Sequence, residues 1–233
     1  MVELIGDLSA ERISANLERV CAEIDAVLAR GGRDAGTVEI LAATKYVARD
    51  DLPLLAQAGV RLVGENRAQD LQEKVAAHGE LFEWDFIGRL QSRKVRLIVP
   101  HVRLIHSVAS DSALRELERH RELARPGLRI LVEVNIAAEP DKAGIAPAEL
   151  DAFIARAPLP VAGLMTMPPL SPTPEGSRRW FAELRRLADD RGMTHASMGT
   201  SQDYLVAAQE GATIVRIGTK LYHRQPCSTA TNH

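Results

Sequence analysis

One lysine, Lys45, is placed where an amine could react with a carbonyl group. It lies in the stretch VEILAATKYV (38–47), at the end of an apolar run typical of a buried strand, and its flanks are apolar. A lysine that is partly removed from water loses its proton more readily, as an amine that forms a Schiff base must. The sequence therefore makes Lys45 a candidate Schiff-base residue.

Two segments near the C-terminus have the composition of an anion site. SMGTSQDYLVAAQEG (197–211) runs from a strand end through a hydroxyl-rich turn into a helix, and RIGT (216–219) ends the next strand. Backbone N–H groups, hydroxyls and the positive end of a helix dipole favour phosphate there, and glycine lets backbone approach a ligand closely. In the alternative interpretation Ser201 only caps the helix and Gly218 only turns the chain.

A lysine and a phosphate site at the same edge of the fold favour pyridoxal 5′-phosphate (PLP), which would be held at its aldehyde and at its phosphate. A Schiff-base aldolase acting on a sugar phosphate is the alternative. Arg216, on an otherwise apolar strand, favours the first interpretation. Opposite a pyridine nitrogen it would keep that nitrogen unprotonated, because two adjacent positive charges repel. A salt bridge from Arg216 to Glu65 or Asp203 is the structural alternative.

The elements that must position these residues follow a βαβ rhythm. Short apolar runs alternate with helical patterns along almost the whole chain, as in parallel sheets. The predicted strands cover residues 38–43, 60–64, 84–88, 102–108, 128–136, 161–166, 194–198 and 213–217. Eight units in 233 residues favour an α/β fold, a single-domain (β/α)8 TIM barrel, over a doubly wound open sheet. The C-terminal strand ends of such a barrel share one rim, where Lys45 and the phosphate segments would meet.

The termini add a helix and a tail to this barrel. Ser9 is the predicted N-cap of a first helix that ends at Gly31 and Gly32, because apolar residues recur between them at spacings of three and four. Residues 1–223 are predicted to form the barrel with this helix. The polar residues 224–233 are predicted to be a flexible tail.

Composition excludes several classes of partner. A net charge of −2 and an aromatic content of 4% give no basis for nucleic acid or an anionic membrane surface. No apolar stretch approaches the roughly 20 residues of a membrane helix. The N-terminus has no signal-peptide pattern. Cys21 and Cys227 have no metal-ligand spacing and fit a reducing compartment, so no metal site is predicted and the cytoplasm is the predicted location.

Six segments carry a resemblance to a known family over about residues 9–222. They are LAATKYV, LVGENRAQDLQEK, WDFIGRLQSRK, LVEVNIAAEPDKAG, GLMTM and SMGTSQDYLVAAQEGATIVRIGT. They resemble the pyridoxal-phosphate homeostasis proteins, whose fold is similar to the N-terminal barrel of alanine racemase. The resemblance implies a modified (β/α)8 barrel that binds PLP, usually as a monomer. It implies that Lys45 is the Schiff-base lysine and that Arg216 lies beside the pyridine nitrogen. The other residues assigned to the cofactor are Asn66, Met165, Ser197, Gly199, Thr200, Ser201, Gly218 and Thr219.

The sequence departs from the family pattern at a few positions. Thr44 stands where the family often has serine, Thr200 where it more often has methionine, and Gln202 where it more often has an acidic residue. Arg89 and Arg93 replace the histidine and asparagine that are frequent in the third segment. None of these changes affects Lys45 or Arg216.

The resemblance implies cofactor and amino-acid homeostasis without a demonstrated enzymatic activity. A racemase needs two bases, one on each face of the substrate carbon. The tyrosines are Tyr46, Tyr204 and Tyr222, and none is placed as a second base. Tyr46 is predicted to point away from Lys45, because successive strand residues alternate. Three hypotheses follow: a non-catalytic carrier that passes PLP to apo-enzymes by transient contact, a weak PLP-dependent amino-acid racemase, and a Schiff-base aldolase.

Overall fold

Eight parallel strands close into a barrel in sequential order, with the first strand paired to the eighth. The computed structural model describes residues 4–223, so the predicted tail at 224–233 lies outside the described residues. The strands are β1 (Glu39–Ala43), β2 (Leu62–Glu65), β3 (Glu83–Phe86), β4 (Leu104–Val108), β5 (Arg129–Glu133), β6 (Val161–Met165), β7 (His195–Thr200) and β8 (Ile214–Ile217). The predicted barrel is confirmed, and the open-sheet alternative is wrong.

Helices and short turns cover the outside of the barrel. The helices are α1 (Ala10–Arg30), α2 (Leu52–Gln57), α3 (Ala68–His78), α4 (Val95–Ile98), α5 (Asp111–Arg119), α6 (Leu150–Ile154), α7 (Arg178–Asp189), α8 (Tyr204–Gln209) and α9 (Thr219–Tyr222). Short 3-10 turns lie at Arg49–Asp51, Gly79–Leu81, Ser92–Lys94, Arg121–Leu123, Pro147–Glu149 and Pro174–Ser177. No helix within residues 4–223 is both long and apolar enough to cross a membrane.

Helix α1 forms as the sequence predicts and packs against α8 and α9. The Ser9 hydroxyl accepts a hydrogen bond from the Arg12 amide at 3.2 Å, and the helix ends at Gly31. The Asn16 side chain, buried on the inner face, donates to the carbonyl of Leu221 at 3.0 Å. That bond attaches α1 to α9, directly after the strand that carries Arg216.

The barrel interior has an apolar part and a polar part. The apolar cluster consists of Leu41, Leu62, Leu104, Leu131, Met165 and Ile214. The polar side chains buried on the strands include Asp85, His106, Ser197 and Arg216. Two of them, His106 and Arg216, lie on the same strands as Leu104 and Ile214 of the apolar cluster. Because branched apolar residues ordinarily fill such barrels, the polar part needs an explanation other than packing.

Two glycines bring neighbouring strands into unusually close contact. A Cβ atom on Gly163 would lie 2.0 Å from the His195 carbonyl oxygen, and one on Gly88 would lie 2.0 Å from the Asn66 carbonyl oxygen. A side chain at either position would therefore displace backbone. At Gly88 the contact packs the end of β3 against the residue that follows β2.

Candidate functional site

Lys45 lies in the turn after β1 and is exposed. Its ammonium group lies 4.5 Å from the centroid of the Tyr46 ring, which is a cation–π contact. Two parts of the sequence interpretation are wrong here. The lysine is not desolvated, and Tyr46 does not point away from it, because β1 ends at Ala43 and strand alternation stops there.

A buried network holds the residue before Lys45. The Thr44 hydroxyl donates to a Glu65 carboxylate oxygen at 2.7 Å, and the Lys74 ammonium donates to the same oxygen at 2.5 Å. Lys74 also donates to the Thr44 carbonyl at 2.8 Å. The Glu65 side chain is 0% exposed and that of Lys74 is 7% exposed. This ion pair fixes the backbone from which the exposed Lys45 extends.

The sequence alone does not identify the Glu65–Lys74 ion pair. The sequence indicates Glu65 as a possible partner for Arg216 and does not single out Lys74. The sequence signal is the position of Lys74 on α3, nine residues after Glu65. Lys74 continues the three-residue spacing of Ala68 and Leu71, which places it on the buried face of this helix.

Arg216 is buried, and both of its terminal nitrogens contact neutral groups. One terminal nitrogen donates to the Ser197 carbonyl at 2.9 Å and to its hydroxyl at 2.6 Å. The other donates to the Thr166 carbonyl at 3.0 Å and contacts the Met167 sulfur at 2.9 Å. Within residues 4–223 Arg216 has no salt bridge, so the alternative pairing with Glu65 or Asp203 is wrong.

The charge on Arg216 is therefore held without a carboxylate in contact. Burial lowers its pKa to about 10, and the carboxylates of Glu133 and Asp203 act from a distance in the opposite direction. The guanidinium remains charged at neutral pH. A buried cation with neutral ligands is suited to meet an acceptor that needs a donor but not a counter-charge.

Ser197 lies inside the barrel and not on its rim. It is fully buried, and its hydroxyl is bonded both to Arg216 and, at 2.9 Å, to His106. The resemblance assigns Ser197 to the phosphate segment, and that assignment stays a prediction. What the geometry gives Ser197 is the task of holding Arg216.

The turn after β7 is built on Gly199 and Asp203. Gly199 has a φ of +89°, and a Cβ there would lie 2.5 Å from the Ala207 side chain, so only glycine fits. The Thr200 amide and hydroxyl donate to one Asp203 oxygen at 2.7 and 3.1 Å. Asp203, and not Ser201, is the N-cap of α8, so the interpretation of Ser201 as a helix cap is wrong.

Ser201 instead joins the two predicted phosphate segments. Its hydroxyl accepts from the Gly218 amide at 3.1 Å and from the Lys220 amide at 3.4 Å. Gly218 is only half-buried, and a Cβ there would meet no protein atom closer than 3.8 Å. Thr219 beside it is exposed at the start of α9. The two loops thus form one surface with open space over Gly218.

The segments from the two ends of the chain meet at this rim. Strand β1 pairs with β8 through Ala42 and Ile217, and the Tyr222 hydroxyl donates to the Ala43 carbonyl at 3.1 Å. On the other side of β1, the Thr44 amide donates to the Gly64 carbonyl at 3.0 Å. The predicted residues after β1, β2, β7 and β8 therefore lie on adjoining strands.

Asn66 and Met165 occupy different environments. The Asn66 side-chain oxygen is buried and has no hydrogen-bond partner within residues 4–223, which is costly for a polar atom unless a ligand supplies one. Met165 is 3% exposed and belongs to the apolar cluster inside the barrel. The methionine that contacts Arg216 and reaches the rim is Met167, which is 44% exposed.

Glu133, the last residue of β5, is a polar residue of the rim that sequence reasoning did not single out. It is half-buried, and within residues 4–223 no group makes a hydrogen bond or ion pair with its carboxylate. Burial raises its pKa, an effect opposed by the charges of Arg216, Arg89 and Lys142. It lines a pocket of about 370 Å³ together with Arg89 and Ser107. The signal for it was a lone acidic residue in the apolar run ILVEV.

Comparison with known proteins establishes the family. Residues 29–226 match the family described as "Alanine racemase, N-terminal domain". The pyridoxal phosphate homeostasis protein of Aquifex aeolicus is 38% identical over 225 residues, which are 92% of this chain and 97% of that protein. The chain belongs to the pyridoxal phosphate homeostasis protein family. The member from Pseudomonas aeruginosa is 37% identical, over 90% of this chain and 94% of its own.

A solved structure of this family matches the fold closely. PipY of Synechococcus elongatus, solved with PLP bound, is 32% identical with a TM-score of 0.72. The match covers 86% of this chain and all of PipY. The resemblance that the sequence motifs carry is therefore confirmed, and so is the barrel that it implies.

Proposed function

We propose that this protein binds pyridoxal 5′-phosphate and acts in its homeostasis as a carrier rather than as an enzyme. The observation that carries the proposal is the pairing, on one rim, of an exposed Lys45 with a buried Arg216 that has no counter-ion in contact. A relative with PLP bound, PipY, supports the choice of cofactor. PLP when bound supplies an aldehyde that an amine can hold and a ring that withdraws electrons.

The donor set fits the chemical groups of PLP. Lys45 offers the amine for the aldehyde, and Arg216 offers a donor for the pyridine nitrogen. The buried oxygen of the Asn66 amide lacks a partner within residues 4–223, which indicates that this amide faces a ligand. The open space over the half-buried Gly218, beside the exposed Thr219, is where a phosphate would bind.

The residues at the rim favour holding a cofactor over proton transfer. Tyr222 donates to the Ala43 carbonyl, and burial raises its pKa, so it stays protonated. Tyr204 is bonded to Glu23, and its pKa is raised by burial and by that carboxylate. Neither is suited to act as the second base of a racemase. The ring of Tyr46 contacts the lysine itself.

Arg216 points to the same conclusion. A charged guanidinium at the pyridine nitrogen opposes protonation of that nitrogen, so the ring would withdraw electrons less strongly than one paired with a carboxylate. The residues around Arg216 hold it with four contacts and leave it little freedom to move. The site thus binds the cofactor without activating it strongly.

A weak racemase is the second candidate function, favoured by the half-buried Glu133 in the rim pocket. Isotope exchange at the Cα of alanine or serine separates it from the carrier. The carrier proposal expects no exchange above that of free PLP. Exchange at enzyme-like rates that is lost in Glu133→Gln would establish the racemase instead.

Transfer is the test of the carrier function itself. The loaded protein is mixed with an apo-enzyme that requires PLP, and reactivation is followed against an equal amount of free PLP. Faster reactivation by the loaded protein, absent for Lys45→Ala, supports delivery by transient contact. Equal rates for the two would overturn it. Loss of cofactor absorbance in Lys45→Ala also excludes the aldolase hypothesis.

The oligomeric state and the cellular location of the carrier are part of the same proposal. We expect a monomer, as the family resemblance implies, and sedimentation of the loaded protein tests this. We expect the cytoplasm, where Cys21, which is exposed and has no disulfide partner within residues 4–223, stays reduced.

A further inference from the structure

A hydrogen-bonded line of side chains begins at Arg216 and continues through the barrel interior. Arg216 donates to the Ser197 hydroxyl at 2.6 Å. The same hydroxyl lies 2.9 Å from Nδ1 of His106, and Nε2 of His106 lies 3.1 Å from a carboxylate oxygen of Asp85. The strands that carry these side chains are β7 for Ser197, β4 for His106 and β3 for Asp85. All three side chains are buried.

The line ends at the opposite face of the barrel from Lys45. Arg103, directly before β4, donates to both oxygens of Asp85, at 2.9 and 3.2 Å. Its terminal nitrogens also donate to both oxygens of Glu39, the first residue of β1, at 2.8 Å each. The side chains of Arg103 and Glu39 are 23% and 42% exposed. The six residues form what we call the interior line: Arg216, Ser197, His106, Asp85, Arg103 and Glu39.

The proton positions on His106 follow from its neighbours. Arg216 can only donate, so the Ser197 oxygen accepts from it and the Ser197 hydroxyl must give its own proton to another acceptor. Nδ1 of His106 is that acceptor and therefore carries no proton. Nε2 then carries the proton and donates it to Asp85. This assignment gives a neutral His106 with its proton on Nε2.

We propose that His106 and Asp85 are positioning residues that hold Arg216 at the cofactor's pyridine nitrogen through Ser197, and that Arg103 keeps His106 uncharged from the far end. This rests on the proposed function. A protonated His106 would donate to Ser197, which would leave the Ser197 hydroxyl proton without the His106 acceptor, and it would place a second cation next to Arg216.

The charges around His106 are balanced to prevent this protonation. The charged and titratable groups that face it are Asp85 on β3, Arg103 before β4, Arg216 on β8 and His195 on β7. Burial lowers the pKa of His106, Asp85 raises it, and Arg216 and Arg103 lower it again. Without Arg103 the Asp85 carboxylate would be paired with His106 alone.

The first experiment needs no cofactor. ¹⁵N-labelled protein is titrated from about pH 5 to about pH 8, and the ring nitrogens of His106 are followed by NMR in the wild type and in Arg103→Gln. The proposal expects the neutral tautomer with a proton on Nε2 throughout in the wild type, and protonation on acidification in Arg103→Gln. A charged His106 at neutral pH, or identical titrations, would overturn it.

The second experiment measures release of bound cofactor. Ser197→Ala and His106→Leu are expected to release PLP roughly 2- to 10-fold faster than the wild type, the effect of one hydrogen bond. His106→Asn, whose amide oxygen can accept from Ser197, is expected to restore part of the loss. Ser177→Ala is the control, a buried serine outside the interior line. The absorbance of the bound cofactor is recorded for each variant.

Pyridoxal without its phosphate distinguishes two roles of Ser197. If Ser197 acts through Arg216, Ser197→Ala speeds the release of pyridoxal as much as that of PLP. If its role is phosphate binding, the effect disappears with pyridoxal, and the proposal is overturned. Wild-type rates and spectra in both Ser197→Ala and His106→Leu would also overturn it. Failure of the wild type to bind PLP would instead refute the proposed function, and the NMR titration would still decide the charge state of His106.

Discussion

Lys45 and Arg216 lie on the same rim, yet the protein treats their charges in opposite ways. Lys45 is exposed and contacts only the ring of Tyr46 among the described residues, whereas Arg216 is 7% exposed and bound by three oxygen atoms and a sulfur. The lysine side chain can therefore move to meet a ligand. The arginine cannot move without breaking several contacts.

The supports below the two residues also differ. Beneath Lys45 the Glu65–Lys74 ion pair fixes backbone and leaves the side chain free. Beneath Arg216 the interior line fixes the side chain itself. The difference indicates that the covalent partner of a ligand must adapt, while the group that sets the electrostatics must stay in place.

Removing Lys45 is expected to have the largest effect on the cofactor and almost none on the fold. Lys45→Ala should abolish the visible absorbance of bound PLP. Because Lys45 is exposed, the free energy of unfolding should change by less than about 0.5 kcal/mol. Absorbance and urea denaturation of the same preparation check both statements. A variant that keeps a covalently bound cofactor would show that another amine is used.

Removing Lys74 is expected to have the largest effect on stability. Lys74→Met leaves the Glu65 carboxylate buried without its cation, which should cost about 3–5 kcal/mol in urea denaturation. The matched control is Lys142→Met. Its partner is Glu139, and the two side chains are 29% and 34% exposed, so the cost should be about 0–1 kcal/mol. Equal losses in the two variants would contradict the role of the buried pair.

Acidification is expected to reveal the buried His106. Its pKa is lowered by burial from the ordinary 6.5, so below that pH the unfolded chain binds a proton that the folded chain does not. The contribution of His106 to the free energy of unfolding is therefore complete above the unfolded pKa. It falls as the pH drops through that pKa, by at most about 1.4 kcal/mol per pH unit.

His106→Asn should flatten that dependence when unfolding is measured in urea between about pH 7.5 and about pH 5.5. The slope should not vanish, because burial also lowers the pKa of His101 and His195. An unchanged slope in His106→Asn would mean that His106 takes up a proton in the folded protein.

Removing the Tyr46 ring is expected to have the smallest effect. The ring competes with a ligand for the Lys45 ammonium, so Tyr46→Leu should tighten PLP binding by less than about 5-fold. Tyr46→Phe keeps a ring and should resemble the wild type. Weaker binding in Tyr46→Leu would instead mean that the ring contacts the cofactor.

The strands, and the importance of Lys45 and Arg216, could be predicted from local sequence patterns. Each strand is a short apolar run, and its type depends mainly on its own residues. Lys45 and Arg216 stood out because each interrupts such a run. The exposure of Lys45 could not be predicted, since it depends on where β1 ends, and strand ends are the least regular part of a pattern.

The polar networks could not be predicted in the same way. His106 is separated from Asp85 by 21 residues and from Ser197 by 91. In the sequence each of them is a polar residue within a predicted strand. Lys74 lies in the polar segment QEK, and only the docking of α3 against the barrel shows that it is buried.

The sequence by itself determined the (β/α)8 barrel, the family, and the strand ends that carry Lys45, Ser201, Arg216 and Gly218, because periodicity and motif are local properties. Only the tertiary structure decided which charges are buried and what they bind. Burial and hydrogen bonding depend on residues that barrel closure brings together from distant strands, and in this protein those contacts keep Lys45 free and Arg216 fixed.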